Sequence, residues 1–162
     1  MFASIPPELV EFLESGIGVL VGSRDARLQP EVARAFGARI GAGGRELTVF
    51  LPVATSARTL ANARENGRLA VCFSATDHRS YQIKGRLADV RTADEEDRRA
   101  VERYRAALAQ HYGHVGMPPL LTYRITHWPA HAVRLAVEAV FLQTPGPGAG
   151  GALGEPRRGT GS

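Results

Sequence analysis

Short runs of β-branched and apolar residues, separated by turn-forming clusters, are the strongest constraint on the fold of this chain. The first three runs are Ile17 to Val21, Val32 to Ile40 and Leu47 to Leu51. Ser23-Arg24-Asp25 and Gly41 to Gly44 lie between them and favour tight turns. This part of the chain therefore predicts three consecutive antiparallel strands joined by hairpins.

Four later runs have the same character: Arg68 to Ala75, Tyr81 to Arg91, Leu120 to Thr126 and His131 to Gln143. Gly85, in the middle of one of them, is typical of a bulge or bend at a barrel corner. Helical spacing and helix start or stop residues mark three other segments, at residues 6–15, 57–66 and 93–112. Since the last two helices follow strands three and five, the order favours a barrel over βαβ units. We expect a mainly β, α+β fold with six or seven antiparallel strands and flanking helices.

The length of 162 residues and the 44% hydrophobic content fit one globular domain. We assign that domain to residues 1–145. Beyond it the composition changes to a Gly/Pro-rich tail at residues 146–162, which we expect to be disordered. The sequence has neither a long apolar run nor the pattern of a secretory signal over residues 1–7, so we expect a cytoplasmic protein with no membrane partner.

Charge and chemistry-bearing residues exclude several classes of function. Of the 20 basic residues only Lys84 is a lysine, and the arginines are scattered, which favours a small anionic ligand over nucleic acid. Cys72 lies in an apolar run and is expected to behave as a small, inert hydrophobe. No metal site is expected, because a glycine or a Trp-Pro dipeptide interrupts each of the two closely spaced histidine pairs, His111/His114 and His127/His131. Hydrolase and kinase motifs are missing from the sequence, and no catalytic side chain is named.

The segment Thr55-Ser56-Ala57-Arg58-Thr59 places two hydroxyls and a guanidinium at a predicted helix start. Free backbone N–H groups and the positive end of the helix dipole make such a start a phosphate site. The alternative is that Ser56 only caps the helix while Arg58 is solvated.

The order of motifs around this segment resembles the FMN-binding core of the pyridoxamine 5′-phosphate oxidase family. Ser56-x-Arg58 starts a helix, Asn66 ends it, one strand runs through Phe73, and the next ends at Gly85. In that family a Ser-Arg-Lys motif holds the FMN phosphate and an Arg-Gln-Val-x-x-x-Gly strand lies against the flavin. The resemblance implies an FMN-binding split barrel that spans most of residues 1–145.

The resemblance also implies a set of cofactor-binding residues. Arg58 takes the position of the family's lysine, Arg79-Ser80 takes that of its Arg-Gln, and Gln82 lies two residues further along the same strand face. Arg34 or Arg79 is expected as a second cation for the phosphate, and Phe36 is expected against the ring. The full set is Arg34, Phe36, Thr55, Ser56, Arg58, Arg79, Ser80 and Gln82.

The chain also departs from the family. The family's flavin-contacting strand is replaced here by Arg34 to Arg39, and the family's C-terminal Arg/Trp motif for the pyridoxal phosphate substrate is missing. Oxidation of pyridoxamine phosphate is therefore not expected. The resemblance implies a homodimer with a flavin site built from both protomers, and an FMN-dependent oxidoreductase of the reductase or oxidase type, with its substrate open. Two alternatives remain: a non-catalytic flavin- or haem-binding protein, and a ligand-free structural dimer.

Overall fold

One antiparallel sheet of seven strands dominates the computed structural model, which describes residues 3–154. The strands are β1 (Gly18–Arg24), β2 (Pro30–Ala35), β3 (Ala38–Ile40), β4 (Glu46–Pro52), β5 (Arg68–Ser74), β6 (Ser80–Thr92) and β7 (Ala130–Leu142). The helices are α1 (Pro7–Leu13), α2 (Val53–Asn66), α3 (Glu95–Gly113) and α4 (Pro119–Tyr123), and a 3₁₀ turn covers Ala42–Gly44. This is the predicted α+β architecture, with antiparallel strands and flanking helices.

The strands lie in the order β2-β1-β5-β6-β7-β4-β3, and the two edges of the sheet meet to close a barrel. β2 and β3 lie at opposite edges of that order, yet only Phe36 and Gly37 separate them along the chain. Gly37 has φ +109°, which a glycine adopts readily. Across the gap, the Phe36 N–H donates to the Phe50 carbonyl at 2.8 Å. The run Val32 to Ile40, predicted as one strand, is therefore two strands bent at Gly37.

Alternation along the strands separates a buried face from a solvent-facing one. In β5, for example, Leu69, Val71 and Phe73 are at most 4% exposed, and the residues between them point the other way. α2 and α3 cover the core with Leu60 and Leu108. The barrel interior is thus packed with side chains, and on the opposite face of β1, β2, β5 and β6 the last turn of α3 reaches one end, where Tyr112 contacts Arg34.

The prediction of a strand at residues 120–126 is wrong, because residues 119–123 form α4. Pro119 is the first helical residue, where its missing N–H costs nothing. At the other end the Arg105 guanidinium donates to the Tyr123 carbonyl at 2.7 Å, which satisfies one of the free carbonyls of the last turn. Among the helices within residues 3–154, none is long and apolar enough to cross a membrane.

The chain after β7 folds back on that strand. The Gly150 N–H donates to the Leu142 carbonyl at 2.7 Å and the Leu153 N–H to the Val140 carbonyl at 2.7 Å. Leu153 also packs against the core. Residues 146–154, which belong to the predicted tail, thus make backbone hydrogen bonds with β7 in this structure. The rest of the predicted tail, residues 155–162, lies outside the described residues.

Candidate functional site

The start of α2 differs from the prediction of a helix beginning at residue 57. α2 begins at Val53, with Pro52 as its N-cap, so Ser56 is already in the first full turn. The Ser56 hydroxyl is buried and donates to the Pro52 carbonyl at 2.6 Å. The Ser56 side chain therefore does not cap the helix and is not presented at the surface.

The neighbouring polar residues of α2 are exposed. Thr55 lies on the solvent side of the first turn. The Arg58 side chain is 64% exposed, and its Nε lies 3.6 Å from a carboxylate oxygen of Glu31 in β2. Arg58 therefore stands at the edge of the sheet next to β2, in a weak surface ion pair.

Phe36 is a core residue. It is 1% exposed, and its ring packs edge-on against Tyr104, with centroids 6.3 Å apart, and against His127 at 6.0 Å. The ring fills the barrel interior and is not part of the surface that carries the other predicted residues. The bend at Gly37 turns the aromatic side chain inward.

Arg79 lies on the α1 side of β6. Its guanidinium stands 4.6 Å from the ring centroid of Phe12, which in turn contacts Tyr81. The Arg79 backbone N–H and side chain both donate to Asp77, and these hydrogen bonds lower the pKa of that carboxyl. Arg79 is therefore separated from Ser80 and Gln82, which point to the other face.

The solvent-facing surface of β1, β2, β5 and β6, which we call the outer face, brings the remaining predicted residues together. Cross-strand pairing forms one row across four strands: Arg34, Leu20, Cys72 and Gln82. A second row lies beside it: Val32, Gly22, Ala70 and Lys84. On the other side is a third: Gly18, Ser74 and Ser80. The middle of the outer face therefore carries small or apolar side chains, with polar and cationic groups at its borders.

A cavity of about 240 Å³ opens at one end of the outer face, beneath the last turn of α3. Arg34 and Tyr112 form one wall, with the Arg34 Nη1 donating to the Tyr112 hydroxyl at 3.1 Å. Leu20 and Cys72 form the floor. Because Tyr112 takes only one of the five guanidinium donors, Arg34 keeps donors for an anionic ligand.

A larger cavity of about 430 Å³ lies at the other end of the outer face. Gly22 and Ala70 give it a flat floor, Val32 lines one side, and Lys84 lines the other. Glu31, the ion-pair partner of Arg58, lies at its rim. The outer face is thus a continuous apolar strip with cations at both ends.

Sequence reasoning missed Leu20, Tyr112 and the exposure of Cys72. Cys72 is half-buried, and the Gln82 side-chain amide lies 3.5 Å from its sulfur. The alternation of Leu69, Val71 and Phe73 already placed residue 72 on the opposite face. No sequence signal joined Tyr112 to Arg34.

The histidines make structural contacts. His111 Nε2 lies 3.1 Å from the Thr76 backbone nitrogen, and His127 Nε2 lies 2.9 Å from the Glu102 carboxylate. Burial acts to raise the pKa of Glu102, but hydrogen bonds from Arg105 and His127 keep that pKa below its ordinary value. Across residues 3–154, no three His, Cys, Asp or Glu side chains are arranged to hold a metal ion.

Comparisons with known proteins give matches to solved structures alone. No protein-family model matches the sequence, and the search of curated proteins gives no match. The structure is similar to that of HupZ from Group A Streptococcus, with a TM-score of 0.55, 18% identity, and coverage of 90% of this chain and 100% of that one.

Two further solved structures are similar. One is a protein of Clostridium acetobutylicum related to general stress protein 26, of the pyridoxinephosphate oxidase family, with a TM-score of 0.50, 14% identity and coverage of 85% and 89%. The other is an FMN-binding protein from Syntrophomonas wolfei, with a TM-score of 0.50, 16% identity and coverage of 82% and 84%. Together with the strand order and the bend that closes the barrel, these similarities identify the fold. The chain has the fold of these proteins, an antiparallel split β-barrel.

Proposed function

We propose that the outer face binds a flavin, FMN, and that the protein is a flavin-dependent oxidoreductase. One observation carries the proposal: three of the residues expected to bind the cofactor, Arg34, Ser80 and Gln82, converge on one face of the sheet. The similarity to a structure described as FMN-binding supports the same cofactor.

The residues of the outer face fit the chemistry of FMN. Leu20 stands between Gly18 and Gly22 on β1, beside the small residues Ala70 and Cys72 on β5, so a planar ring can lie flat on this strip. Arg34 at one border can pair with the phosphate. The polar groups of Ser80 and Gln82 can hydrogen-bond the polar edge of the ring. When bound, FMN supplies electron transfer, and the residues of this chain supply position and electrostatics.

Replacing Arg34 with glutamine is expected to weaken FMN binding at least tenfold, about 1.4 kcal/mol, because a charge-assisted bond to the phosphate is lost. Quenching of flavin fluorescence during titration measures the affinity, which we expect to be micromolar in the wild type. Arg79→Gln is the matched control and is expected to bind FMN like the wild type, since Arg79 lies on the α1 side of β6.

Four outcomes would contradict this assignment. If Arg34→Gln binds FMN as tightly as the wild type, the phosphate lies elsewhere. If Arg58→Ala weakens FMN binding more than Arg34→Gln does, the exposed start of α2 holds the phosphate instead. If the purified protein shows the Soret band of haem, it is a haem-binding protein and not a flavoprotein. If it has no affinity for FMN and no Soret band, it is a ligand-free protein.

We also propose that a second copy of this chain covers the outer face and completes the site. Leu20 and Val32 are 42% and 59% exposed there, whereas their inward-facing neighbours Val19, Val21 and Ala33 are buried. Sedimentation velocity at micromolar concentration is expected to show a dimer. Val32→Glu is expected to shift the protein toward monomer, because a second copy would bury the new charge. A wild-type monomer at that concentration would contradict the proposal.

A further inference from the structure

A cavity of about 400 Å³ lies away from the outer face, among the end of α1, the β2–β3 bend, β4 and α3. None of the residues that line it belongs to the three rows of the outer face. Its volume is in the range of cavities that bind small molecules. The proposed function assigns no ligand to it.

The inner part of this cavity is apolar. Four small residues leave the space open: Gly37, Ala38, Ala100 and Ala107. The ring of Phe50, itself 1% exposed, forms the floor. Tyr104 presents only its ring, because its hydroxyl already donates to the Ile17 carbonyl at 2.6 Å. These residues suit an apolar group, and Ser15, which also lines the cavity, already donates its hydroxyl to the Phe12 carbonyl at 2.6 Å.

The mouth of the cavity carries charges of both signs. Glu14 accepts from the Ile40 N–H at 2.7 Å through one oxygen, which leaves its second oxygen available. Arg39 stands over the Phe50 ring at 5.6 Å, and its Nη1 contacts Asp97 at 3.3 Å, which leaves other guanidinium donors available. Arg103 extends from α3 into the same lining.

These opposite charges do not form ion pairs with one another. Within residues 3–154, no ion pair of 4.0 Å or less joins Glu14 to Arg39 or to Arg103. A ligand with a single charge would meet one of the two signs and leave the other without a partner. A ligand with both an anionic and a cationic group satisfies both, and its apolar part can fill the interior.

We propose that this cavity is a second binding site, for a free amino acid with an apolar or aromatic side chain. The carboxylate faces Arg39 and Arg103, the ammonium group faces the free oxygen of Glu14, and the side chain lies on the Phe50 ring. The proposal does not depend on flavin binding, because the two sites share no residue.

A titration with three probes of similar size tests this assignment. ¹⁵N-labelled protein is titrated with L-phenylalanine, with 3-phenylpropionate, which lacks the ammonium group, and with phenethylamine, which lacks the carboxylate. Amide signals of residues 37–39 and 100–107 are expected to shift with L-phenylalanine, and each single-charge probe is expected to bind at least tenfold more weakly.

Matched variants separate the charges from the fold. Arg103→Gln and Glu14→Gln are each expected to weaken L-phenylalanine binding at least tenfold, and the second keeps an oxygen for the Ile40 N–H. Arg99→Gln, an exposed change on the same helix, is expected to bind like the wild type. Melting temperatures show whether all three variants remain folded.

Several results would overturn the proposal. They are the absence of shifts at these amides, shifts confined to the outer face, equal binding of the three probes, or wild-type affinity in folded Arg103→Gln and Glu14→Gln. The outcome is independent of the Arg34→Gln experiment, so failure of one site is distinguishable from failure of the other.

Discussion

Replacing Gly85 with alanine is expected to lower the melting temperature by about 6 to 12 °C, the equivalent of roughly 3 kcal/mol in a domain of this size. Gly85 lies in β6 where its register with β7 shifts, and a Cβ there would stand 2.3 Å from the Ala136 carbonyl oxygen. The contact is with backbone, so the strands themselves would have to move apart. Thermal unfolding followed by circular dichroism measures the effect.

Gly22→Ala is the control for this change. Gly22 also lies in the middle of a strand, but a Cβ there meets no atom closer than the Ala70 carbonyl oxygen at 3.6 Å, an ordinary contact. Its melting temperature is expected to stay near that of the wild type or rise slightly. If the two variants unfold at the same temperature, close packing of β6 on β7 is not the reason for glycine at position 85.

Replacing Asp97 with asparagine is expected to destabilise the protein by about 2 kcal/mol. The loss of a fully buried ion pair would cost more, but both arginine partners of Asp97 are partly exposed. The Asp97 side chain is 1% exposed and contacts Arg91 and Arg39, which are each 44% exposed. It also completes the capping box at the start of α3 by accepting from the Asp94 N–H at 3.0 Å. Asp97 thus joins β3, β6 and α3, and chemical denaturation measures the loss.

The pH dependence of this loss has a defined sign. Burial acts to raise the pKa of Asp97, but the hydrogen bonds from Arg91 and the Asp94 N–H, with the charges of Arg91 and Arg39, hold it below the ordinary value. A carboxyl with a lowered folded-state pKa stabilises the fold above its unfolded pKa of about 3.9 and loses that contribution as the pH falls through the folded pKa. The gap between wild type and Asp97→Asn is therefore expected to be constant near neutral pH and to shrink below about pH 4. Glu96→Gln, an exposed change in the same turn, is expected to show no such gap.

The elements of the fold were largely predictable because their signals are local. The alternation of apolar residues placed β1, β4, β5, β6 and β7 close to their observed positions, and the acidic start of α3 marked its N-terminus. Residues 120–126 were mispredicted because an apolar run of that length does not by itself distinguish a strand from a helix. Pro119 and the contact of Arg105 with the Tyr123 carbonyl decided for a helix.

The candidate site was predictable only in part. The resemblance to an FMN-binding family pointed to Arg34 and Gln82, and strand pairing places them in one row of the outer face. Ser56 and Phe36 were equally reasonable from the sequence, yet their side chains are buried. The start of α2 at Val53 and the bend at Gly37 turned them inward, and no local pattern signals either event.

The sequence alone determined most of the strand segments and which face of each is apolar, because the side-chain period of a strand is a property of consecutive residues. Only the tertiary structure decided which exposed residues meet. Arg34 and Tyr112 belong to different elements far apart in the chain, and so do Glu14 and Arg103. Strand register and helix packing bring such residues together, and both depend on the free energy of burying the whole core, which no single segment contains.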